Sequence, residues 1–384
     1  MKLVGVELVR LAVPFRSDVA TAVGVHRSRS LLFVRVVADQ AEGWGECAAL
    51  GEGTSVDPSV DEVEAAVVAR GVTRLVDASA ARGGQLPRES EIAQLFGSSP
   101  ADRMMAAVFE MAVADAELRL SGRSLAQALE VGAGYDTLPV GAAVGIPPDH
   151  DVGVLRQQVA EAVSGGAARV RVKIGPGWDL EPVAALRDDH PRIVLQVDAN
   201  GSYGIGDAER LGRLAEFGVL CIEQPLPPAD LVAMAEFAGR IPLPVCLDES
   251  LTSPRRVVDA LRNRACQMAC LTPGRLGGLR ATRVAHAACA ADGVPVFVGG
   301  FFEAGLGRAA NLALAARLAQ DAAGLVGDLS HPATYLSADP CGTSAYPEVR
   351  DGWVRVPTGP GVGFAPTAAA LGHTDARRRW FPAT

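Results

Sequence analysis

Residues 1 to about 60 alternate apolar and polar positions along much of their length. Segment 30–37 (SLLFVRVV) is an example, and a period of two is typical of strands with one buried face. Residues 1–15 place Glu7 and Arg10 within a similar pattern, which favours a strand over a signal peptide. The N-terminal part is therefore predicted to be an antiparallel meander.

Helical periodicity follows from about residue 99 to residue 129. Apolar side chains recur there at the spacing of one helix face: Met104, Ala107, Val108 and Met111. Gly122 predicts the end of the first helix, because glycine readily adopts the backbone geometry that closes helices. Residues 132–137 are predicted to be a linker.

Beyond the linker, short apolar segments alternate with amphipathic ones. The predicted strands are 138–144, 169–174, 193–198, 219–223, 244–248, 267–272 and 294–299, and the predicted helices include 207–217, 229–239 and 279–291. Alternation with a period of about 25 residues predicts a parallel sheet, and the number of units favours a closed barrel. We expect an α+β unit at 1–130, a barrel at 131–329 and a segment at 330–384 that packs back on the first unit.

Composition narrows the possible functions. The chain has 384 residues, 49% of them hydrophobic, and its 36 basic and 44 acidic residues give a net charge of -8. This balance predicts neither nucleic acid nor membrane as a partner and favours a small-molecule substrate. The seven cysteines form no CxxC pair and are odd in number, so we expect no disulfide framework and no zinc site, but reduced thiols in a cytoplasmic protein.

Lysine is almost absent. The chain contains 34 arginines and only two lysines, Lys2 and Lys173. Arginine cannot be deprotonated in a protein, whereas a lysine can act as a base. A chemical role would explain why Lys173 is not arginine, although the survival of one ordinary lysine is the simpler alternative.

Four polar residues recur at the ends of successive predicted strands. Lys173, Asp198, Glu223 and Asp248 are separated by 25 residues each, which places them together at the C-terminal mouth of a barrel, where catalytic groups gather. Three converging carboxylates repel one another unless a cation lies among them, and oxygen ligands suit Mg²⁺ or Mn²⁺. Any one of these acids could equally be a helix cap. As a set they predict a metal site, with Lys173 placed to remove a proton beside a substrate carboxylate.

The chain carries a series of motifs: GWGECAAL (43–50), VKIGPGWD (172–179), VDANGSY (197–203), IEQPL (222–226), LDES (247–250), PGRLGGL (273–279), GGFFEAGLGRAAN (299–311) and VPTGPGVG (356–363). With these motifs, the region from Arg169 to Asn311 resembles the enolase superfamily in its muconate-lactonising subgroup, and within it o-succinylbenzoate synthases and N-acylamino acid racemases. The resemblance implies a modified TIM-type (β/α)7β barrel with an N-terminal α+β capping domain. It also implies an enediolate intermediate stabilised by Mg²⁺ and a homo-oligomer.

By the same resemblance, Asp198, Glu223 and Asp248 are expected to be metal ligands and Lys173 the second lysine of a KxK pair. Asn200 and Glu249 are expected as supporting polar groups, with Glu303 as a further candidate. The loop at residues 15–29 is expected to fold over the site and contribute to substrate selection.

Two residues depart from the family pattern. Arg171 replaces the first lysine of the pair, which fits a fixed cation. Thr272 replaces a second catalytic lysine before PGR. A racemase needs a base on each side of the α-carbon, whereas a one-base elimination does not.

Three hypotheses follow. The first is an o-succinylbenzoate synthase-like syn-dehydration, in which Lys173 removes a proton and returns it to the departing hydroxyl. The second is an N-acylamino acid racemase or epimerase, or a related cycloisomerase, in which another group replaces the lost lysine; His331, Glu303 and Asp328 are the candidates. The third is a non-catalytic binding protein, which the retention of Lys173 disfavours.

Overall fold

The computed structural model describes residues 1–21, 24–321, 325–342 and 346–383. The strands are β1 (Leu3–Thr21), β2 (Gly24–Ala38), β3 (Glu42–Glu46), β4 (Thr137–Pro139), β5 (Gly141–Val144), β6 (Arg169–Lys173), β7 (Val194–Asp198), β8 (Ile222–Glu223), β9 (Val245–Leu247), β10 (Met268–Leu271), β11 (Val296–Val298), β12 (Val349–Arg350), β13 (Trp353–Arg355) and β14 (Arg377–Pro382).

The α-helices are α1 (Val60–Ala66), α2 (Val72–Ala80), α3 (Glu89–Ile92), α4 (Pro100–Ser121), α5 (Leu125–Ala128), α6 (Val152–Ser164), α7 (Leu180–Asp189), α8 (Ala208–Gly212), α9 (Leu231–Arg240), α10 (Pro254–Arg262), α11 (Pro273–Leu276), α12 (Leu279–Ala291), α13 (Gly305–Asp321) and α14 (Ala368–Leu371). A π-helical turn covers Val67–Gly71, and 3₁₀ turns cover Ala93–Leu95, Pro148–His150, Ile205–Asp207, Arg213–Phe217 and Pro332–Thr334. Within the described ranges, no helix is both long and apolar enough to cross a membrane.

The N-terminal sheet is antiparallel, with the order β14-β1-β2-β3, and α4 packs against β2 and β3. Helix α4 begins at a capping box formed by Ser99 and Asp102 and ends at Gly122 in the left-handed conformation, as the sequence predicts. Two glycines of β3 let the helix approach closely. A Cβ atom on Gly45 would lie 2.0 Å from the carbonyl oxygen of Val108.

The predicted loop at residues 15–29 has a different structure. Its described parts are the ends of β1 and β2, which form one long antiparallel hairpin with a register shift between Pro14 and Val19; residues 22–23 lie outside the described ranges. Arg29 fixes the base of this hairpin, because its fully buried guanidinium donates to the carbonyls of Cys47, Ala48 and Phe302. The family resemblance implied a loop at residues 15–29. The cross-strand bonds and those of the Arg29 guanidinium instead keep its described parts in β-strand conformation.

Seven parallel strands form the barrel sheet, in the order β11-β10-β9-β8-β7-β6-β5. Backbone hydrogen bonds continue beyond both edges: Leu325 N donates to Val296 O at 3.0 Å and Gly141 N donates to Gly327 O at 2.9 Å. The segment around residue 326 therefore joins β11 to β5. The predicted α/β barrel with its capping domain is confirmed.

Two predicted elements differ in detail. Segment 138–144 is divided, because β4 pairs with β13 whereas β5 joins the barrel sheet. The predicted helix 207–217 is a short α-helix between two 3₁₀ turns, because Gly212, the last residue of α8, weakens helical continuity there. Helix 279–291 has the predicted bounds.

Candidate active site

The strand pairings align the predicted site residues at the C-terminal ends of the barrel strands. Lys173 of β6 lies beside Asp198 of β7, and Asp198 lies beside Glu223 of β8. Asp248 directly follows β9, two residues beyond Cys246, which pairs with Glu223. Lys173, Asp198 and Glu223, which are 25 residues apart, are thus direct neighbours on adjacent strands. Asp248 lies two residues further towards the C-terminal end of the barrel.

Lys173 is held by an acidic partner. Its Nζ donates to Asp198 Oδ2 at 2.6 Å, and both side chains are largely buried. Burial opposes ionisation of Asp198, but the charges of Lys173 and Arg171 outweigh burial and lower the pKa of Asp198. The contact with Asp198 therefore fixes the position of the Lys173 amine.

Arg171 is a fixed, buried cation. Its Nη1 lies 2.5 Å from Glu223 Oε1 and 3.3 Å from Asp198 Oδ2, and its Nη2 binds Asp328. The charges of these three acids outweigh burial and raise the pKa of Arg171. A planar guanidinium has several N–H donors and can bind three carboxylates at once, which a lysine ammonium does less well.

A second arginine holds Asp248. Arg275, in the PGR motif, donates from Nη1 to Asp248 Oδ1 at 2.5 Å and makes two bonds of 2.8 Å to Asp57. Thr272 donates its hydroxyl proton to the same Asp248 oxygen at 3.0 Å. The role of Arg275 was missed in the sequence, since its partner Asp57 lies 218 residues away.

Gln196 is another buried partner that the sequence reasoning missed. It has no exposed surface, donates to Glu223 Oε2 at 2.5 Å and accepts from Arg169. Its position two residues before Asp198, on the same face of β7, was the available signal. Gln196 and Arg169 form a polar layer beneath the carboxylates.

The predicted supporting residues Asn200, Glu249 and Glu303 do not all lie together. Asn200 donates from its backbone to Asp198 and from its amide to Glu249, at 3.0 and 2.9 Å. Burial, together with the charges of Asp248 and Asp198, raises the pKa of Glu249 to about 7. Glu303 instead lies two residues before α13, where its carboxylate accepts hydrogen bonds from Phe301 N and Asn311 Nδ2.

The candidates for a replacement second base are engaged in structural contacts. Asp328 binds Arg169 and Arg171, and Glu303 lies 3.3 Å from Arg308. His331 caps a 3₁₀ turn by accepting from Ala333 N. These contacts give each of the three a structural partner.

The β1–β2 hairpin lies near Lys173, the candidate base. Phe15, near its lower end, stacks edge to face on Phe302 at 5.4 Å between ring centroids. His26, in β2, is half-buried. Burial lowers the pKa of its imidazole; the charge of Lys173 also lowers this pKa, whereas the charge of Glu52 raises it. The hairpin therefore lies within electrostatic reach of Lys173.

The donor atoms fit a divalent cation. Glu223, Asp248 and Cys270 each offer a ligand atom, and these three atoms lie within 4.8 Å of one another. Asp198 is the lateral neighbour of Glu223 but is already bound by Lys173 and Arg171. Burial and the adjacent Asp198 and Asp248 charges raise the pKa of Glu223 despite Arg171, so added positive charge would favour its ionised form.

The chain belongs to the enolase superfamily. Residues 154–370 match the family model described as "Enolase C-terminal domain-like". Over 384 residues, 99% of each chain, it is 38% identical to an N-succinylamino acid racemase from an Amycolatopsis species. It is 33% identical to an o-succinylbenzoate synthase from Geobacillus kaustophilus, over 92% of this chain and 91% of the relative.

A solved structure gives the same placement. An enolase-superfamily member from Listeria innocua matches with a TM-score of 0.89 and 28% identity, covering 100% of both chains. Enolase-superfamily sites use a lysine or histidine base together with one or two Mg²⁺ ions. The resemblance stated from the motifs is confirmed, and the chain is an enzyme of the lyase or racemase kind.

Proposed function

We propose that this enzyme removes the proton alpha to a carboxylate of a small substrate, passing through an enediolate, and completes a syn-dehydration of the o-succinylbenzoate synthase kind. The observation that carries the lyase proposal is that the two sides of the barrel mouth hold different functional groups, an amine and a hydroxyl. Lys173 offers an amine on β6, whereas the position after β10, four strands away, holds the hydroxyl of Thr272. One base suffices for an elimination in which proton and hydroxyl leave from the same face.

Asp198, Glu223 and Asp248 are the proposed carboxylate ligands of a divalent cation, Mg²⁺ or Mn²⁺, with Asn200 and Glu249 supporting them. Such a cation offsets the negative charge that develops on the substrate carboxylate as the α-proton leaves.

The protein's own residues then have distinct tasks. Neutral Lys173 accepts the α-proton at Nζ, and Asp198 at 2.6 Å stabilises the resulting ammonium. The same Nζ returns that proton to the departing hydroxyl, so that water leaves. Arg171, bound to three carboxylates, stays protonated throughout and contributes a fixed positive charge. The β1–β2 hairpin covers the mouth and limits access of water.

Product formation tests the proposal. The substrate is the hydrated precursor of o-succinylbenzoate, and the appearance of the conjugated aromatic product is followed by absorbance. Lys173→Ala should lower the rate by roughly 100-fold or more, because a positioned general base contributes about that much. Lys2→Ala is the matched control, since Lys2 is exposed and its backbone pairs with Gln85 and Asp39 in the N-terminal part of the chain, outside the candidate site. Equal rates in wild type and Lys173→Ala would contradict the assignment.

Racemisation of N-succinylated amino acids is the second candidate function, favoured by the 38% identical relative that bears that name. Racemisation needs a second base. A related cycloisomerase with a non-standard second base is a further alternative. Chiral chromatography of N-succinylated amino acids after incubation distinguishes these functions, because inversion supports the racemase and unchanged configuration supports the lyase.

Two further parts of the proposal concern the setting of the enzyme. We expect a homo-oligomer that works in the cytoplasm on a small carboxylate. Light scattering on the purified chain tests the oligomer, and a monomer mass would contradict it.

A further inference from the structure

Glu46 joins the capping domain to the barrel. It is the last residue of β3 and is buried, yet both oxygens of its carboxylate bind backbone groups of the barrel. Ala304 N, directly before α13, donates to Oε1 at 2.7 Å, and Gly307 N, in the first turn, donates to Oε2 at 2.8 Å. The N–H groups at the start of a helix have no partner within the helix. One side chain of the capping domain therefore fixes the beginning of α13.

The segment before α13, residues 299–303, carries two aromatic side chains at the C-terminal end of the barrel strands; we call it the 299–303 loop. The ring of Phe301 lies 5.1 Å from the guanidinium carbon of Arg275, the arginine that binds a proposed metal ligand. Phe302 lies edge to face on Phe15 of the β1–β2 hairpin, with 5.4 Å between ring centroids. The loop thus contacts both the edge of the candidate site and the base of the hairpin.

Phe302 has a backbone conformation that needs support. Its φ of 56° lies in the left-handed region, which a phenylalanine adopts only where neighbouring contacts hold it. Two of its supports come from the capping domain. Arg29 of β2 donates to the Phe302 carbonyl at 3.3 Å, and Glu46 of β3 binds Ala304, two residues further along. The conformation of the loop therefore depends on the carboxylate of Glu46.

Other titratable groups face the carboxylate of Glu46. Burial, together with the charge of Glu303, raises the pKa of Glu46 to about 7, although Arg29 opposes this shift. Burial also raises the pKa of three further groups that interact with Glu46, so that they stay neutral near pH 7: Cys47, Tyr335 and Cys341. Glu46 therefore gains or loses its charge near neutral pH.

We propose that Glu46 is a positioning residue for the reaction: when ionised, it holds the 299–303 loop and so keeps the β1–β2 hairpin packed over the mouth of the barrel. The inference rests on the proposed function, in which the hairpin limits access of water. Protonation places a hydroxyl on one of the two oxygens and weakens its bond to a backbone N–H, because a protonated carboxyl group has less acceptor capacity. The hairpin then opens more often.

Hydrogen exchange of the full-length enzyme tests this contact without any measurement of activity. Mass spectrometry of peptides from both strands of the hairpin reports how often it opens. Glu46→Gln is the informative variant, because its amide can accept from one backbone N–H but presents its own N–H to the other. Comparing variant and wild type at the same pH removes the intrinsic pH dependence of exchange.

The expected difference depends on pH. At about pH 8.5, where Glu46 is ionised, hairpin peptides of Glu46→Gln should exchange roughly tenfold faster than those of the wild type, the effect of losing one hydrogen bond to a charged group. At about pH 5.5, where Glu46 is protonated, the two proteins should exchange at similar rates. A role in packing alone would give the same ratio at both pH values.

Asp115→Asn is the matched control. Asp115 is a buried acid that also accepts from backbone N–H groups, those of Trp44 and Val362, and Trp44 lies on the same strand as Glu46. Neither donor belongs to the 299–303 loop. Asp115→Asn should therefore leave the exchange of the hairpin peptides as in the wild type at both pH values.

Gly307→Ala disturbs the same contact from the barrel side and guards against misfolding of Glu46→Gln. A Cβ on Gly307 would lie 3.0 Å from Glu46 Oε2, so this variant should also speed hairpin exchange at about pH 8.5. Equal exchange in wild type, Glu46→Gln and Gly307→Ala at that pH would overturn the proposal, as would a ratio that is the same at both pH values. Dehydration by the wild type in that case would leave the proposed function standing, so the two failures are distinguishable.

Discussion

Lys173 and Asp198 show how one charged pair can serve two purposes at the residue scale. The 2.6 Å contact orients the amine. In the proposed mechanism, the buried carboxylate also favours the ammonium that would follow proton transfer. The cost of burying Asp198 is offset by Arg171, which lies 3.3 Å away. An arginine at position 171 can do this permanently, because it stays charged whatever Lys173 does.

In the proposed function, the hydroxyl at position 272 is the residue-scale feature that distinguishes elimination from racemisation. Thr272→Lys should introduce or raise inversion of N-succinylated amino acids, because it restores an amine four strands from Lys173. Chiral chromatography after incubation measures this.

Thr272→Met is the control for Thr272→Lys, since it has similar length and no amine. Inversion at equal rates in both variants, or in neither, would refute the account of the missing amine.

At the element scale, much of the barrel could be predicted because its strands are short apolar runs at a constant interval. Helix α12 has the predicted bounds, and Lys173, Asp198 and Glu223 are lateral neighbours because their spacing equals one βα unit. The partners of these residues could not be predicted. Arg275 meets Asp57 only because the capping domain packs on the barrel, and that contact has no local signal in the sequence.

The contact between β3 and α4 gives a prediction at this scale. Gly45→Ala should destabilise the fold by roughly 1–3 kcal/mol, the usual range for overpacking, because the added methyl would meet the backbone of Val108. Gly239→Ala is the matched substitution in the exposed end of α9, where a Cβ meets nothing within 4 Å. It should stabilise by roughly 0.5–1 kcal/mol through helix propensity.

Urea unfolding of both variants measures these effects. Equal free energies of unfolding for the two variants would show that the close approach of β3 to α4 does not constrain Gly45.

On the scale of the whole molecule, buried charges connect distant parts of the chain. Asp328, beyond α13, binds Arg169 and Arg171 of β6, next to the backbone bonds that join β11 and β5. Barrel closure and the electrostatics of the site therefore depend on the same acid. The seven described thiols are free and buried, as expected from the sequence.

Acid sensitivity follows from this arrangement. Burial opposes ionisation of Asp328, but Arg171 and Arg169 outweigh it and lower its pKa to about 2. An unfolded aspartate has a pKa of about 3.9, so ionised Asp328 stabilises the fold above about pH 4, and this contribution is lost as the pH falls through 2.

Asp328→Asn should lower the free energy of unfolding by about 3–5 kcal/mol at pH 7, the usual penalty for breaking a buried ion pair. The difference in this free energy between variant and wild type should shrink from pH 4 to pH 2. Urea unfolding across this range checks it, and a difference that is independent of pH would contradict the role of the ionised form.

Hydrogen exchange in D₂O, followed by proton NMR with and without a chelator, tests the central claim most directly. We expect the metal-loaded wild type to exchange the α-proton of a substrate carboxylate, and both Lys173→Ala and chelation to abolish that exchange. Exchange that continues at the wild-type rate after chelation, or in Lys173→Ala, would contradict a mechanism in which a divalent cation and one lysine share the removal of the proton.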